Sequence, residues 1–334
     1  MGTHRRTRRK QSWLKRNGLM LFVVVLIVAV AIAVVLLLTP EHKTEPTELE
    51  PTVATQSQTH AEKPTNEQSK LYFEKFSKVP QSGIITAGQV SVGQNILVNN
   101  EYKYNLDQQT DFIEFNELPD RNYELMFDDL DGDRFTLYEF NLMTQAFAKD
   151  YPDEYLGVCS GYRTYDAQKR NFDASVEQNG EEETLKWFTR PGYSEHHTGY
   201  AIDFNTNSYG DRAFTGEGNQ SWFKENCHKF GCIHRYTAEK QSITGINPEA
   251  WHLRQVGIPH ADYIMKNNIC YEEYVEQIKA YSSKNPLVIK PDAGGEYCVF
   301  YQQGKDGEQI DLAGYTEYYC SGNNVDGFII TAIK

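Results

Sequence analysis

The chain has 334 residues, with 46 acidic against 33 basic side chains and a formal charge of −13 at pH 7. Seven of the basic residues precede position 19, so the remainder carries −20. A surface that acidic has no electrostatic footprint for nucleic acid, and solubility outside a membrane is its plain account.

Arg5, Arg6, Arg8, Arg9, Lys10, Lys15 and Arg16 lead into an unbroken apolar run of 20 residues, 19–38. That is about the length needed to cross a roughly 30 Å hydrocarbon core. The basic flank predicts a cytoplasmic tail, residues 1–18, with everything after the span outside. A cleaved signal peptide would have an apolar region of about 7–15 residues ending in small residues. This run ends Leu-Leu-Leu-Thr-Pro-Glu-His, so a single-pass anchor in the cell membrane is expected. The first cysteine is Cys159, too far away for lipid attachment beside the span. Residues 39–70 are rich in Thr, Glu, Pro, Gln and Ser and nearly free of aliphatics, the composition of a disordered tether.

Residues 71–104 hold short extended runs broken by Gly83, Gly88 and Gly93, an entry segment for edge strands or surface packing. Asp129-x-Asp131-Gly132-Asp133 begins like a calcium loop, but Arg134 and Phe140 stand where its Gly and Glu are required. An Asp-Gly turn before a helix is expected instead. Phe140, Met143 and Phe147 predict that helix over 137–149. Further helices are expected near 165–178 and 221–230, with a strand at 200–204 that places Ala201 and Asp203 on one face. Helices at 261–267 and 271–284 close the domain before Asn285-Pro286. The pattern is α+β, a small, largely antiparallel sheet flanked by helices, over residues 71–285.

From 286 to 334 the pattern becomes short β-branched and aromatic runs, a small β module that is marginal unless stapled or docked. Binding wall polymer and packing on the preceding domain are its two candidate uses, with packing favoured. Six cysteines fit an oxidising compartment. Cys298 and Cys320 are candidates to bridge two strands of the module. Cys227 and Cys232, near His228 and His234, lack the tight Cys-x2-Cys knuckle, so a disulfide or core packing is expected before a second zinc site. Cys159 and Cys270 read as buried thiols.

Two segments carry chemistry. Ser194-Glu-His-His-Thr-Gly-Tyr-Ala-Ile-Asp203 and Glu249-Ala-Trp-His252 together supply imidazoles and carboxylates in the mixture a hydrolytic zinc site needs. Such a site has three N/O ligands, an open position for water and a general base. His196, Asp203 and His252 are the candidate ligands and Glu249 the candidate base. His197 is the rival to His196, and the spacing to Asp203 favours His196. Glu249 and His252 are three apart, so a flat strand would aim them at opposite faces; the chain must bend between them to serve one site. Arg163, a cationic fork in Ser160-Gly-Tyr-Arg-Thr164, suits a carboxylate or an oxyanion. Trp251 and Trp187 are candidates to line a substrate cleft, although a packed core is the commoner place for Trp.

Ser-x-His-x-x-Gly-x-Ala-x-Asp followed by Glu-x-Trp-His resembles the VanY-type D-alanyl-D-alanine carboxypeptidases, within the group that includes lysostaphin-like peptidases and the hedgehog signalling domain. Ser160–Thr164 with Gln168 agrees, as do Trp222, Asn226, Phe230-Gly231, Arg235-Tyr236 and Thr244-Gly245. The resemblance spans about residues 97–258. It implies that His196, Asp203 and His252 hold Zn²⁺, that Glu249 is the base, and that Arg163 stabilises the anionic transition state or substrate. It also implies that Ser160, Gln168 and Ser194 bind the peptide end. His197 stands where relatives commonly carry Gln, and Ala250 where they commonly carry Pro. Neither is a ligand position, so fine substrate preference rather than chemistry is affected.

The function expected is a membrane-anchored, extracytoplasmic zinc carboxypeptidase removing the terminal D-Ala from peptidoglycan stem peptides, in a Gram-positive cell whose wall the tether lets it reach. The alternatives are an L,D-carboxypeptidase, an endopeptidase on the same polymer, or a zinc-bearing wall-binding domain without turnover. The presence of Glu249 beside all three ligands argues against the last.

Overall fold

The computed structural model describes residues 71–72, 74–108, 110–206 and 213–334. The basic tail, the apolar run and the tether of residues 1–70 lie outside the described residues. Among those described, no helix is long and apolar enough to cross a membrane.

The strands are short. In chain order they are β1 (Ser77–Lys78), β2 (Ile84–Thr86), β3 (Phe112–Glu114), β4 (Glu124–Leu125), β5 (Asp131–Asp133), β6 (Gly157–Ser160) and β7 (Ala201–Phe204). Then come β8 (Cys232–Tyr236), β9 (Glu249–Gln255), β10 (Leu287–Ile289), β11 (Tyr297–Gln303), β12 (Gln309–Asp311), β13 (Glu317–Gly322) and β14 (Gly327–Ile333). One five-stranded sheet has the order β4-β6-β7-β9-β8, antiparallel except for β4 beside β6. The second, order β1-β13-β14-β11-β10, is antiparallel throughout. The principal helices are α1 (Arg134–Asp150), α2 (Tyr165–Asn179), α3 (Ser221–Asn226), α4 (Ile258–Lys266) and α5 (Tyr271–Gln277). The architecture is α+β, as the alternation of elements predicts.

Local sequence explains where α1 and α2 begin. Asp133 caps α1, its Oδ1 accepting from the Thr136 amide at 3.0 Å, and Thr164 caps α2 through Oγ1 and the Ala167 amide at 3.2 Å. The cap at Asp133 starts α1 three residues earlier than the apolar stripe alone predicts. Asp131-Gly132-Asp133 is a strand rather than a turn, because β5 pairs with β3. The stretch 221–230 is α3 followed by a 3₁₀ turn, Cys227–Phe230. The segment 271–284 is helical only to Gln277, with a 3₁₀ turn at Ile278–Ala280.

The first sheet is covered by α1, whose Leu137, Phe140, Met143 and Phe147 meet Val158, Ile202, Phe204 and Leu253 in one buried cluster. The second sheet is buried on both faces, which is why β14 reads as continuously apolar. Val299, Ile329 and Ile333 face α4 and α5, against Ile258, Ile264, Tyr271 and Tyr274. Phe300, Phe328, Ile330 and Ala332 face a layer containing Ile85, Ile310 and Leu312. Strand β1, from the entry segment, pairs with β13, so residues on both sides of the first sheet build the second.

All six cysteines are free thiols. Cys298 and Cys320 do not bridge, because β14 runs between their strands: Cys298 opposes Ala332 and Cys320 opposes Ile330. Cys227 and Cys232 are core residues under α1. Cys270 is buried and Cys159 half-buried. His228 turns to Asp292 at 3.5 Å rather than to the cysteines, and the Lys266 ammonium holds Asp292 and Asp262 at 2.6 and 2.9 Å.

Candidate active site

The site is built where β7 meets β9. Along β7, Ile202 and Phe204 turn into the core under α1. Alternation therefore sends Asp203 to the opposite face. Asp203 is paired across the ladder with His252. Directly opposed residues share a face, so the carboxylate and the imidazole meet: His252 Nδ1 is 2.9 Å from Asp203 Oδ1.

His196 arrives from a 3₁₀ turn, Glu195–Thr198, just before β7. Ser194 caps that turn, its Oγ accepting from the His196 amide at 3.3 Å, and Gly199 ends it at φ +74°. A side chain there would be strained, and its Cβ would lie 2.5 Å from Phe112 and 2.9 Å from the Asp133 amide nitrogen. The turn puts His196 Nε2 3.0 Å from Asp203 Oδ2. One donor atom from each of His196, Asp203 and His252 lies within 4.8 Å of the others, and all three residues are buried.

The bend that Glu249 and His252 demand exists. Tyr236 pairs with Glu249 and His234 with Leu253, so four residues of β9 span the distance covered by two of β8. This bulge brings Glu249 Oε2 to 3.9 Å from His252 Nδ1.

Charge in the cluster is sharply partitioned. Burial alone would raise the Asp203 carboxyl, but His196 and His252 outweigh it and hold Asp203 far below the usual carboxylate range. Burial disfavours the imidazolium of His252, yet hydrogen bonds to Asp203 and Glu195 push it up to about 10. Burial dominates at His196, which is lowered. Burial likewise dominates at Glu249, pushed up to about 8 with the nearby His252 opposing.

The donor set fits zinc. Each imidazole commits its outer nitrogen to a fixed acceptor: His196 Nδ1 to the Gly161 carbonyl at 2.8 Å, His252 Nε2 to Glu195 Oε2 at 3.1 Å. His196 Nε2 and His252 Nδ1 are thereby aimed at Asp203. Two nitrogens, each with a partner behind its ring, and a carboxylate oxygen are what a hydrolytic zinc site uses.

A cavity of about 320 Å³ opens onto this cluster, with Glu249, Arg163, Ser194, Trp251, Trp187 and Tyr236 in its wall. Arg163 donates from Nη1 to Gln168 Oε1 at 2.9 Å and from Nη2 to Ser160 Oγ at 2.8 Å, and its Nη2 is 3.7 Å from Asp203 Oδ2. Gln168 is buried and its Nε2 donates to the Thr189 carbonyl at 2.7 Å, so both ends of the amide are engaged within the protein. Ser160 and Gln168 thus hold Arg163. Trp251 and Trp187 stack with ring centroids 6.4 Å apart, and Trp187 is exposed. His197 stays out of the cluster. Its Nε2 accepts from the Gly192 amide at 3.0 Å and its Nδ1 faces the Arg163 carbonyl at 2.6 Å, which fixes a neutral ring, and burial lowers it to about 4.

Glu195, Arg235 and Tyr236 are parts of the site to which the residue pattern assigns no role. A carboxylate next to a candidate ligand is the only trace of Glu195 in the sequence. Which of 46 acids becomes buried against arginines is decided by packing.

The family model for VanY, D-alanyl-D-alanine carboxypeptidase, matches residues 134–258. A D-alanyl-D-alanine carboxypeptidase of Enterococcus faecium is 28% identical over 282 residues, 79% of this chain and 87% of that protein. Another of that description, from Enterococcus faecalis, is 37% identical over 131 residues, 36% of this chain and 48% of that protein, so the match spans about half its length. Among solved structures, the vancomycin-resistance D,D-dipeptidase VanXYg in complex with a D-Ala-D-Ala phosphinate analogue is similar with a TM-score of 0.66 at 27% identity, over 78% of this chain and 99% of that one. Residues 134–258 contain β6 to β9 and with them His196, Asp203, Glu249 and His252. Residues 134–258 thus carry a domain that matches the VanY D-alanyl-D-alanine carboxypeptidase model, and the chain is similar to carboxypeptidases and dipeptidases of the VanY and VanXY type.

Proposed function

We propose that this protein is a membrane-anchored, extracytoplasmic zinc D-alanyl-D-alanine carboxypeptidase that removes the terminal D-Ala from peptidoglycan stem peptides. The observation that carries the reading is the convergence of His196, Asp203 and His252 at the floor of one cavity that also holds Glu249 and Arg163. The VanY-family relatives support the substrate class. The 20-residue apolar run with its basic flank supports the anchor and the outward orientation.

In this reading His196 through Nε2, His252 through Nδ1 and Asp203 hold the zinc. Zinc held there supplies a Lewis acid for the scissile carbonyl and brings the pKa of a water from about 15.7 to about 7. Glu249 takes the proton from the attacking water and delivers it to the leaving amine of D-Ala. Burial keeps Glu249 a strong enough base to hold that proton between the two steps. The Arg163 fork, set in place by Ser160 and Gln168, faces the developing oxyanion or the terminal carboxylate. Ser194 binds the peptide end from the same wall. Trp187 and Trp251 offer apolar surface to the peptide and exclude water.

The test is incubation of the zinc-loaded, detergent-solubilised protein with a mixture of pentapeptide and tetrapeptide muropeptides, read by mass. Loss of one alanine from the pentapeptide alone is expected. Loss from the tetrapeptide would replace this reading with an L,D-carboxypeptidase. Cleavage of neither, with zinc bound, would leave an endopeptidase or a binding domain.

A further inference from the structure

Behind His252 lies a chain of buried charges that the proposed chemistry does not use. Arg235 is fully buried; its Nε donates to Glu195 Oε1 at 2.9 Å, and its Nη1 and Nη2 donate to the two Glu272 oxygens at 2.9 and 2.6 Å. Glu272 also accepts from Asn99 Nδ2 at 3.1 Å. The second Glu195 oxygen, Oε2, faces His252 Nε2 at 3.1 Å.

A carboxylate buried among arginines is ordinarily a structural ion pair. Here the second oxygen argues otherwise. Arg254 is also fully buried, and its Nη1 stands 3.6 Å from Glu195 Oε1 without a hydrogen-bond partner. A carboxylate serving only the arginines would turn Oε2 to that donor. Glu195 instead aims it at the imidazole and leaves the Arg254 donor unsatisfied. Arg235 fixes the orientation, since its planar fork grips Glu195 on one side and Glu272 on the other.

We infer that Glu195, oriented by Arg235, is a positioning residue for His252: it accepts the Nε2 proton and so presents the Nδ1 lone pair to the metal. This rests on the reading of His196, Asp203 and His252 as a zinc site. The two histidines are then braced differently. His196 leans on the neutral Gly161 carbonyl and binds through Nε2; His252 leans on an anionic carboxylate and binds through Nδ1. An anionic acceptor strengthens the imidazole as a ligand, and loss of such a partner lowers metal affinity about 10–100-fold. Mismatched bracing also makes the pair directional, because only one tautomer of each ring satisfies both its acceptor and the metal.

The test is zinc affinity of the full-length protein in detergent, measured by competition with a chromophoric chelator, for the parent, Glu195→Gln and Glu272→Gln. Glu195→Gln is expected to bind zinc about 10–100-fold more weakly. Glu272→Gln loosens the outer end of the chain and lowers the melting temperature, but leaves the Glu195–His252 contact in place and keeps parent-like zinc affinity. That contrast separates positioning from stability. Parent-like affinity in Glu195→Gln would overturn the inference. Should Glu195→Gln not fold, long-range ¹H–¹⁵N imidazole spectra of the zinc-loaded parent decide: His252 protonated on Nε2 and His196 on Nδ1 is expected, and His252 protonated on Nδ1 would overturn it. A parent that binds no zinc would overturn the metal reading itself, which the same titration reports separately.

Discussion

At the scale of the residue, environment turns ordinary carboxylates into different instruments. Asp203, facing two imidazoles, stays ionised, while Glu249, 3.9 Å from only one of them and buried, is pushed up to about 8. A ligand must stay charged and a base must be able to hold a proton, so the two fates match the two roles. Glu249→Ala is expected to lower kcat by about 10²–10⁴ with zinc content unchanged, checked by muropeptide turnover beside metal analysis. Glu139 in α1 shows the same effect away from the cavity. Burial pushes it up to about 7, Lys75 and Gln255 opposing, and its Oε1 has no hydrogen-bond partner. Its folded pKa exceeds the unfolded value near 4.5. Stability is therefore unaffected below the unfolded value and falls as pH rises from there to about 7. Glu139→Gln removes that loss by removing the titrating group. The variant is expected to melt with the parent at pH 4 and above it at pH 8, by on the order of 3 kcal/mol.

At the scale of the element, two backbone irregularities make the site. The bulge in β9 lets residues three apart serve one cavity, and the left-handed Gly199 ends the His196 turn where β7 must begin. Gly199→Ala is expected to destabilise by more than the roughly 1–2 kcal/mol of the left-handed conformation alone, because the added methyl meets Phe112 and the Asp133 amide. Thermal melts and zinc content should both fall, since the turn carries the candidate ligand His196. The spacing of Glu249 and His252 requires the bend, but no residue between them announces which strand supplies it. The start of α1 was legible only in part: the apolar stripe marks its buried face, whereas its first turn depends on the Asp133 cap.

At the scale of the whole molecule, the C-terminal strands and the domain that carries the candidate site share a core. Ile289, Val299, Ile329 and Ile333 pack with Ile258, Ile264 and Tyr274. Burying each such aliphatic is worth about 1.5–3 kcal/mol, so together they rival the roughly 5–15 kcal/mol that holds a typical domain. A chain ending at residue 285 is expected to lose cooperative unfolding, and the parent is expected to melt in one transition across 71–334, both read by circular dichroism. Deletion of residues 1–38 should move the protein from the membrane fraction to the soluble one, read by fractionation.

The sequence by itself determined the α+β class, the helical stripes and the candidate ligands and base. These rest on short-range order: periodicity, capping residues and motifs whose members lie within a few positions of one another. Only the tertiary structure decided what stands behind them. That Glu195 and Arg235 brace His252, and that Cys298 and Cys320 are separated by β14, follow from how the strands and their connections are brought together. Those join residues distant in the chain, and no local pattern encodes which distant side chain a buried charge will meet.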